Sequence, residues 1–232
     1  MIPKNKHKIV CQQRRTREKN QRIQSILEAA QRVFFSKGYL KSTMDEIAME
    51  AEVTKPTVYL YFKAKDDLFF TLMLPLMDDI HRQLEKAEES LATGKIKDGG
   101  ALIKALFRAF YHGYKTSPET FGIIQLFQQQ RLMSELKPDV RAALNDKGRI
   151  NFDLGRRLLT RGIELGLIKK VNVYEIADVI WALIVGVIQL EDIKSDDQKG
   201  HRLKENTLRL AEQLIAEALT INNGKSKRRK SI

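Results

Sequence analysis

Residues 43–69, TMDEIAMEAEVTKPTVYLYFKAKDDLF, read as two short helices around a tight turn, with an aromatic-rich exit into a third helix. Thr43 followed three residues later by Glu46 is a capping box. The hydroxyl accepts from an orphan N–H while the carboxylate reaches back to the cap, so a helix is predicted to begin at Met44. Met44, Ile47, Ala48 and Ala51 then fall at helical spacing, and Ala48 is small enough to let a second helix cross closely. Thr54 offers a second N-cap, with Lys55 and Pro56 in the first turn, where a missing proline N–H costs nothing. Two helices this close form a helix-turn-helix, whose second helix enters the major groove of DNA.

Composition locates the charge. Of the formal +12, residues 1–67 carry 14 basic against 8 acidic side chains, residues 68–224 carry 22 against 21, and residues 225–232 add five basic ones. A basic head and tail around a nearly neutral middle favours a polyanionic partner for the N-terminal part. A chain of 232 residues buries a sizeable core without a staple. The lone Cys11 permits no intramolecular disulfide, which agrees with a cytoplasmic setting. Residues 1–20 hold no apolar run of signal-peptide type, and the apolar stretch 179–190 is shorter than a bilayer requires, so no membrane partner is expected.

Around the head the expected organisation is a basic flexible arm (1–19), a helix-turn-helix domain (20–67), a helical domain (68–222) and a basic flexible tail (223–232). Helical periodicity begins near Arg17 and runs to Lys37; a long helix then runs from Asp66 to about Leu91, interrupted by Pro75. Further helices are predicted at about 100–115, from Ser117 with Pro118 at its first position, from 138 to 165 with Gly166 as stop, from 172 to 190, and from 201 to 221. No alternating-polarity strand is visible. The fold class is therefore all-α with about nine helices: a three-helix DNA-binding head and a C-terminal helical domain.

The stretch 43–69 resembles the DNA-binding domain of the TetR family of bacterial transcriptional regulators. The match extends upstream through Arg22, Ile23, Ala29, Ala30, Phe34, Gly38 and Tyr39, and covers roughly residues 20–70. Its Tyr-x-Tyr-Phe-x-x-Lys exit is more specific than a generic helix-turn-helix. Two positions depart from the family pattern: Glu52 stands where a turn glycine is usual, and Pro56 where Gly or Ala is common. A residue with a Cβ forced to positive φ at 52 costs about 1 kcal/mol.

The resemblance implies DNA contacts at Thr54, Lys55, Thr57, Tyr59, Tyr61 and Lys65; Thr43 joins them because it caps a helix whose N-terminus can face a phosphate, while Val58, Phe62, Leu68 and Ile47 read as core. It also implies a double-stranded operator as partner, a repressor released by a small-molecule effector, and a homodimer through the last two helices. In the dimer interface we expect Ile180, Ala182, Ile184, Gly186 and Val187 from one helix, with Leu210 and Leu214 from the other. Candidate effector-pocket residues are Phe107, Phe110, Tyr111, Tyr114, Phe127, Phe152 and Trp181, with Arg108, His112, Gln125 and Arg156 as polar neighbours. An aromatic or lipid-like effector fits such a lining. No catalytic, cofactor or metal motif stands out, and the four histidines form no ligand spacing. The competing reading is a ligand-independent nucleoid-associated or adaptor protein, which would show little operator preference.

Overall fold

The computed structural model describes residues 4–129, 132–194 and 200–221, and the tail at 223–232 lies outside them. Nine α-helices are present among these residues: α1 Lys4–Lys37, α2 Met44–Glu50, α3 Lys55–Tyr61, α4 Lys65–Ala92, α5 Gly99–Thr116, α6 Pro118–Gln129, α7 Pro138–Glu164, α8 Val173–Lys194 and α9 Gly200–Leu219. A short 3-10 turn, Leu132–Glu135, was not anticipated. The chain divides into two compact units, Met1–Leu76 with Ser117–Asn145, and Met77–Thr116 with Asp146–Ile232. The break in α4 falls between Leu76 and Met77, one residue past Pro75, which lies inside this helix and removes one of its backbone donors.

In the first unit, Ile26, Ala29, Ala30, Val33 and Phe34 of α1 recur at i, i+3, i+4, i+7 and i+8 and are all buried. They meet Ile47 and Ala48 of α2 and Val58 of α3 in one core. Phe34, Tyr39 and Phe69 pack with ring centroids 5.3–6.2 Å apart. The expectation of a flexible arm at 1–19 is corrected here, because the helix already runs from Lys4. Residues 9–22 are exposed throughout, so no apolar stripe announced them. No Gly or Pro interrupts the run from 4 to 37, and a helix nucleated by the buried half propagates into such residues at little cost. The pair Arg14–Glu18 at 2.7 Å adds i,i+4 support.

The second unit buries Leu102, Ile103, Leu106 and Phe107 of α5, Leu154, Leu158 and Leu159 of α7, and Ile180, Ile184 and Ile188 of α8. Gly162 of α7 permits this, since a Cβ there would run into Leu102. Past α9 the chain returns along residues 167–169: Lys169 N–H donates to the Leu219 carbonyl (2.8 Å) and Ile221 N–H to that of Leu167 (3.3 Å).

Three helix ends share one device. At α4 and α7, Gly94 (φ +69°) and Gly166 (φ +68°) close 6→1 hydrogen bonds from Lys95 to Ser90 and from Leu167 to Gly162. At α2 the same loop is closed by Val53 N–H to the Ala48 carbonyl (2.9 Å), and the left-handed position is Glu52 at φ +54°. The anticipated strain is therefore present. Glu52→Gly is expected to stabilise the protein by about 1 kcal/mol. Glu52→Ala should give no such gain, so comparing urea midpoints separates backbone strain from loss of the carboxylate.

Candidate nucleic-acid interface

The capping box predicted at α2 is formed: Glu46 N–H donates to Thr43 Oγ1 (3.2 Å) and Thr43 N–H to Glu46 Oε2 (3.0 Å). Lys37 Nζ holds the other oxygen of Glu46 at 2.7 Å, and the Lys37 ammonium with the Thr43 amide holds that carboxyl below its ordinary range. Arg32 pairs with Glu50 at 2.6 Å. These two bridges, 37 to 46 and 32 to 50, run α1 antiparallel to α2.

Thr54 has the extended backbone of an N-cap, but its hydroxyl does not cap α3; it lies 2.9 Å from Thr57 Oγ1. Thr54, Lys55 and Tyr59 are exposed, whereas Thr57 and Tyr61 are half-buried. Lys55 Nζ rests 2.8 Å from Asp45, and that carboxylate raises its pKa. Val58, Phe62, Leu68 and Ile47 are buried as expected. The outward surface of α3 therefore presents two hydroxyls, an ammonium on an exposed tether and a phenol, a set suited to base edges and phosphates.

Lys65 is placed differently from the sequence reading. Its Nζ donates to the carbonyls of Tyr39 (2.6 Å) and Ser42 (3.0 Å) and sits 4.3 Å from the centre of the Tyr39 ring. Burial pulls its pKa down. Beside it, the Tyr39 hydroxyl donates to Asp66 Oδ1, and the Lys137 N–H donates to Asp66 Oδ2 at 2.8 Å. Burial and that carboxylate push the Tyr39 phenol above its usual range. Lys65 thus holds the α1–α2 turn against α4, and its ammonium is committed to protein oxygens. The glycine-aromatic turn marked this region in sequence, but nothing in residue spacing pairs position 39 with 66.

In the second unit the expected aromatic residues divide. Phe110, Phe152 and Trp181 form a cluster with centroids 5.5–6.0 Å apart. Arg156 lies 5.5 Å from the Phe152 ring and 4.5 Å from Tyr174, and its Nε is buried without a hydrogen-bond partner. Phe107 and Tyr111 instead line a cleft of about 420 Å³ with Arg108, His112 and residues of α9. Tyr114 is buried and stacks on Tyr111 at 5.7 Å. The side chain of Phe127 lies outside the described residues, and Gln125 is buried in the other unit. His112 holds Asp79 at 2.6 Å, which with Arg82 keeps that carboxyl low against the opposing effect of burial.

Of the expected interface residues, Ile180 and Ile184 are corrected: they are buried within the protomer, on the face of α8 turned to its own core. Ala182 and Gly186 are exposed, Val187 is half-buried, and Leu210 and Leu214 are 56% and 57% exposed. The apolar window of α8 runs Val173–Leu190, 18 residues rather than the shorter stretch read from sequence, and only 22% of it is buried.

A family model described as bacterial regulatory proteins, tetR family, matches residues 26–72. The chain is 29% identical over 154 residues to the fatty acid metabolism regulator protein of Bacillus subtilis (strain 168), covering 66% of this chain and 74% of that protein. Among solved structures it resembles the TetR family transcriptional regulator PfmR from Thermus thermophilus, with TM-score 0.67, 20% identity, and 83% and 97% of the two chains covered. It also resembles AibR in complex with isovaleryl coenzyme A and operator DNA, with TM-score 0.62, 18% identity, and coverage of 82% and 97%. At these identities the structural likeness shows the fold.

The geometry separates two kinds of variant. Tyr39→Phe leaves a buried carboxylate oxygen unpaired and is expected to cost about 1–3 kcal/mol in urea unfolding, the range of a lost buried hydrogen bond. Lys65→Ala should lower both the unfolding midpoint and affinity for every duplex alike. Lys55→Ala should leave the midpoint unmoved and change base preference on an operator scanned position by position. A Lys65→Ala protein of unchanged stability would remove the positioning role assigned to that residue.

Proposed function

We propose that this chain, a DNA-binding transcriptional regulator with a TetR-family head, is a cytoplasmic homodimeric repressor that binds a palindromic operator and is released by a small molecule. The observation that carries the dimer is the outer surface of α8 and α9. Val179, Leu190, Leu210 and Leu214 are 42–57% exposed. Gly186 has open space where a Cβ would stand, which leaves room for a second backbone to approach. An apolar face of this extent on a soluble protomer is normally covered. A second copy of the same two helices covers it with two-fold symmetry, and a two-fold dimer carries two α3 helices, as a palindromic operator requires. The opposite face of α8 packs on α5 and α9, so lipid does not surround it.

For the effector we infer a fatty-acid-derived molecule with an anionic end. Support comes from the Phe110–Phe152–Trp181 cluster beside Arg156, whose Nε has no partner although its terminal nitrogens lie on Asp153 and Asp178, and from the cleft at Phe107 and Tyr111, where Lys104, Arg108, Lys115 and Arg209 outnumber Glu205 and Glu212. The name of the Bacillus subtilis relative points to the same class of compound. Release requires that the compound favour one conformation of the dimer over the other. A nucleoid-type protein would instead bind all duplexes alike.

Leu210→Glu with Leu214→Glu is expected to give helical monomers in sedimentation and to weaken operator binding by at least about 100-fold, because one recognition helix reads too few bases. Retention of a dimer by this variant would place the interface elsewhere. Acyl-coenzyme A compounds of graded chain length, titrated onto the complex with an operator selected from the source genome, should lower affinity in a length-dependent way. Aromatic acids acting while every acyl compound fails would overturn the effector class.

A further inference from the structure

In the described head, almost every basic side chain from residue 32 to residue 65 already holds a protein oxygen. Arg32 is on Glu50, Lys37 on Glu46, Lys55 on Asp45, Lys63 on the Tyr59 carbonyl, and Lys65 on the turn carbonyls; Lys41 alone has no such bond among the described residues. The positive excess of the head therefore lies in the exposed N-terminal half of α1. There Arg15, Lys19 and Arg22 recur at i, i+4 and i+7 and share one face of the helix. All three are exposed, and none holds an acidic partner among the described residues. Arg14 differs, being paired with Glu18 on the adjacent face.

The placement of this face follows from the bridges that fix α1. Because α1 runs antiparallel to α2, its N-terminal half continues past the end of α2, at the turn leading into α3. At 1.5 Å per residue, Arg22 to Arg15 lie about 15–25 Å beyond the level of Arg32. This row of cations stands on a regular helix, so it needs no folding on binding.

We propose that the Arg15–Lys19–Arg22 face of α1 is a second nucleic-acid contact, taking backbone phosphates of the duplex flanking the bases that α3 reads. It rests on the reading of this chain as an operator-binding regulator. The contact is electrostatic and sequence-independent, and it adds counterion release rather than discrimination.

The test measures affinity against salt concentration by fluorescence anisotropy, for the full-length protein and for R15A/K19A/R22A. The probes are an operator fragment selected from the source genome, the same fragment trimmed to the half-sites, and a random duplex. Each phosphate neutralised contributes about 0.9 to the slope of log affinity against log salt. The triple variant should lower the slope by about 2–5 per dimer on the long operator and on random duplex, leave their affinity ratio unchanged, and have little effect on the trimmed fragment. R15K/R22K should keep the wild-type slope. Circular dichroism of the alanine variant should show undiminished helix, since alanine favours helix. An unchanged slope on the long duplex overturns the proposal, as does a change in oligomeric state that accounts for the loss. If the wild-type protein itself shows no preference for the selected operator, the regulator reading fails instead, and the two failures are distinct.

Discussion

The buried carboxylate of Asp66 organises the DNA-reading head. It accepts from the Tyr39 hydroxyl and from the Lys137 N–H, so one side chain joins the α1–α2 turn, the first turn of α4 and the entry to α7. A carboxylate can be held this far from water only when its oxygens are satisfied, and here both are. Lys65, the preceding residue, adds a positive charge against the same turn through its carbonyls and the Tyr39 face. The turn carrying Thr43 is thereby fixed, and with it the start of α2 against which α3 is set. The head thus adds a polar lock to the apolar core that α1, α2 and α3 share.

This lock shows why the site was only partly legible in sequence. Local signals carried the helix-turn-helix: a capping box needs only positions 43 and 46, and both of its bonds are present. Glu52 was marked as atypical because turn chemistry is also local, and its φ of +54° agrees. The role of Lys65 was not legible. A lysine following an aromatic exit reads equally as a phosphate contact or as a buttress, and the choice depends on carbonyls more than twenty residues away. The same limit applied to Thr54, whose hydroxyl turns to Thr57 rather than to the backbone.

The fold class and eight of the helix positions followed from periodicity and stop signals, since the interior is built from stripes of apolar residues at helical spacing. The failure at the start of α1 has the opposite cause. Residues 9–16 bury nothing, and periodicity detects burial, so a helix sustained by propagation from its packed half leaves no trace in the pattern. In α8 the difficulty is excess signal. Apolar residues lie all round it, and Ile180 and Ile184 could not be told from Ala182 and Gly186 until the protomer core was located.

The ion pairs of the head then bear on how it meets DNA. Lys55 and Asp45 form an exposed bridge, screened by water and salt, so exchanging Asp45 for a guanine edge or a phosphate meets little resistance. Lys65 is the contrasting case, because its release would take a donor from the Tyr39 and Ser42 carbonyls and loosen the turn that leads into α2. The head thus separates cations that hold its shape from those free to meet a ligand. Its net positive charge overstates the number available for binding. Among the described residues of the head, the cations without an ion pair are concentrated on α1.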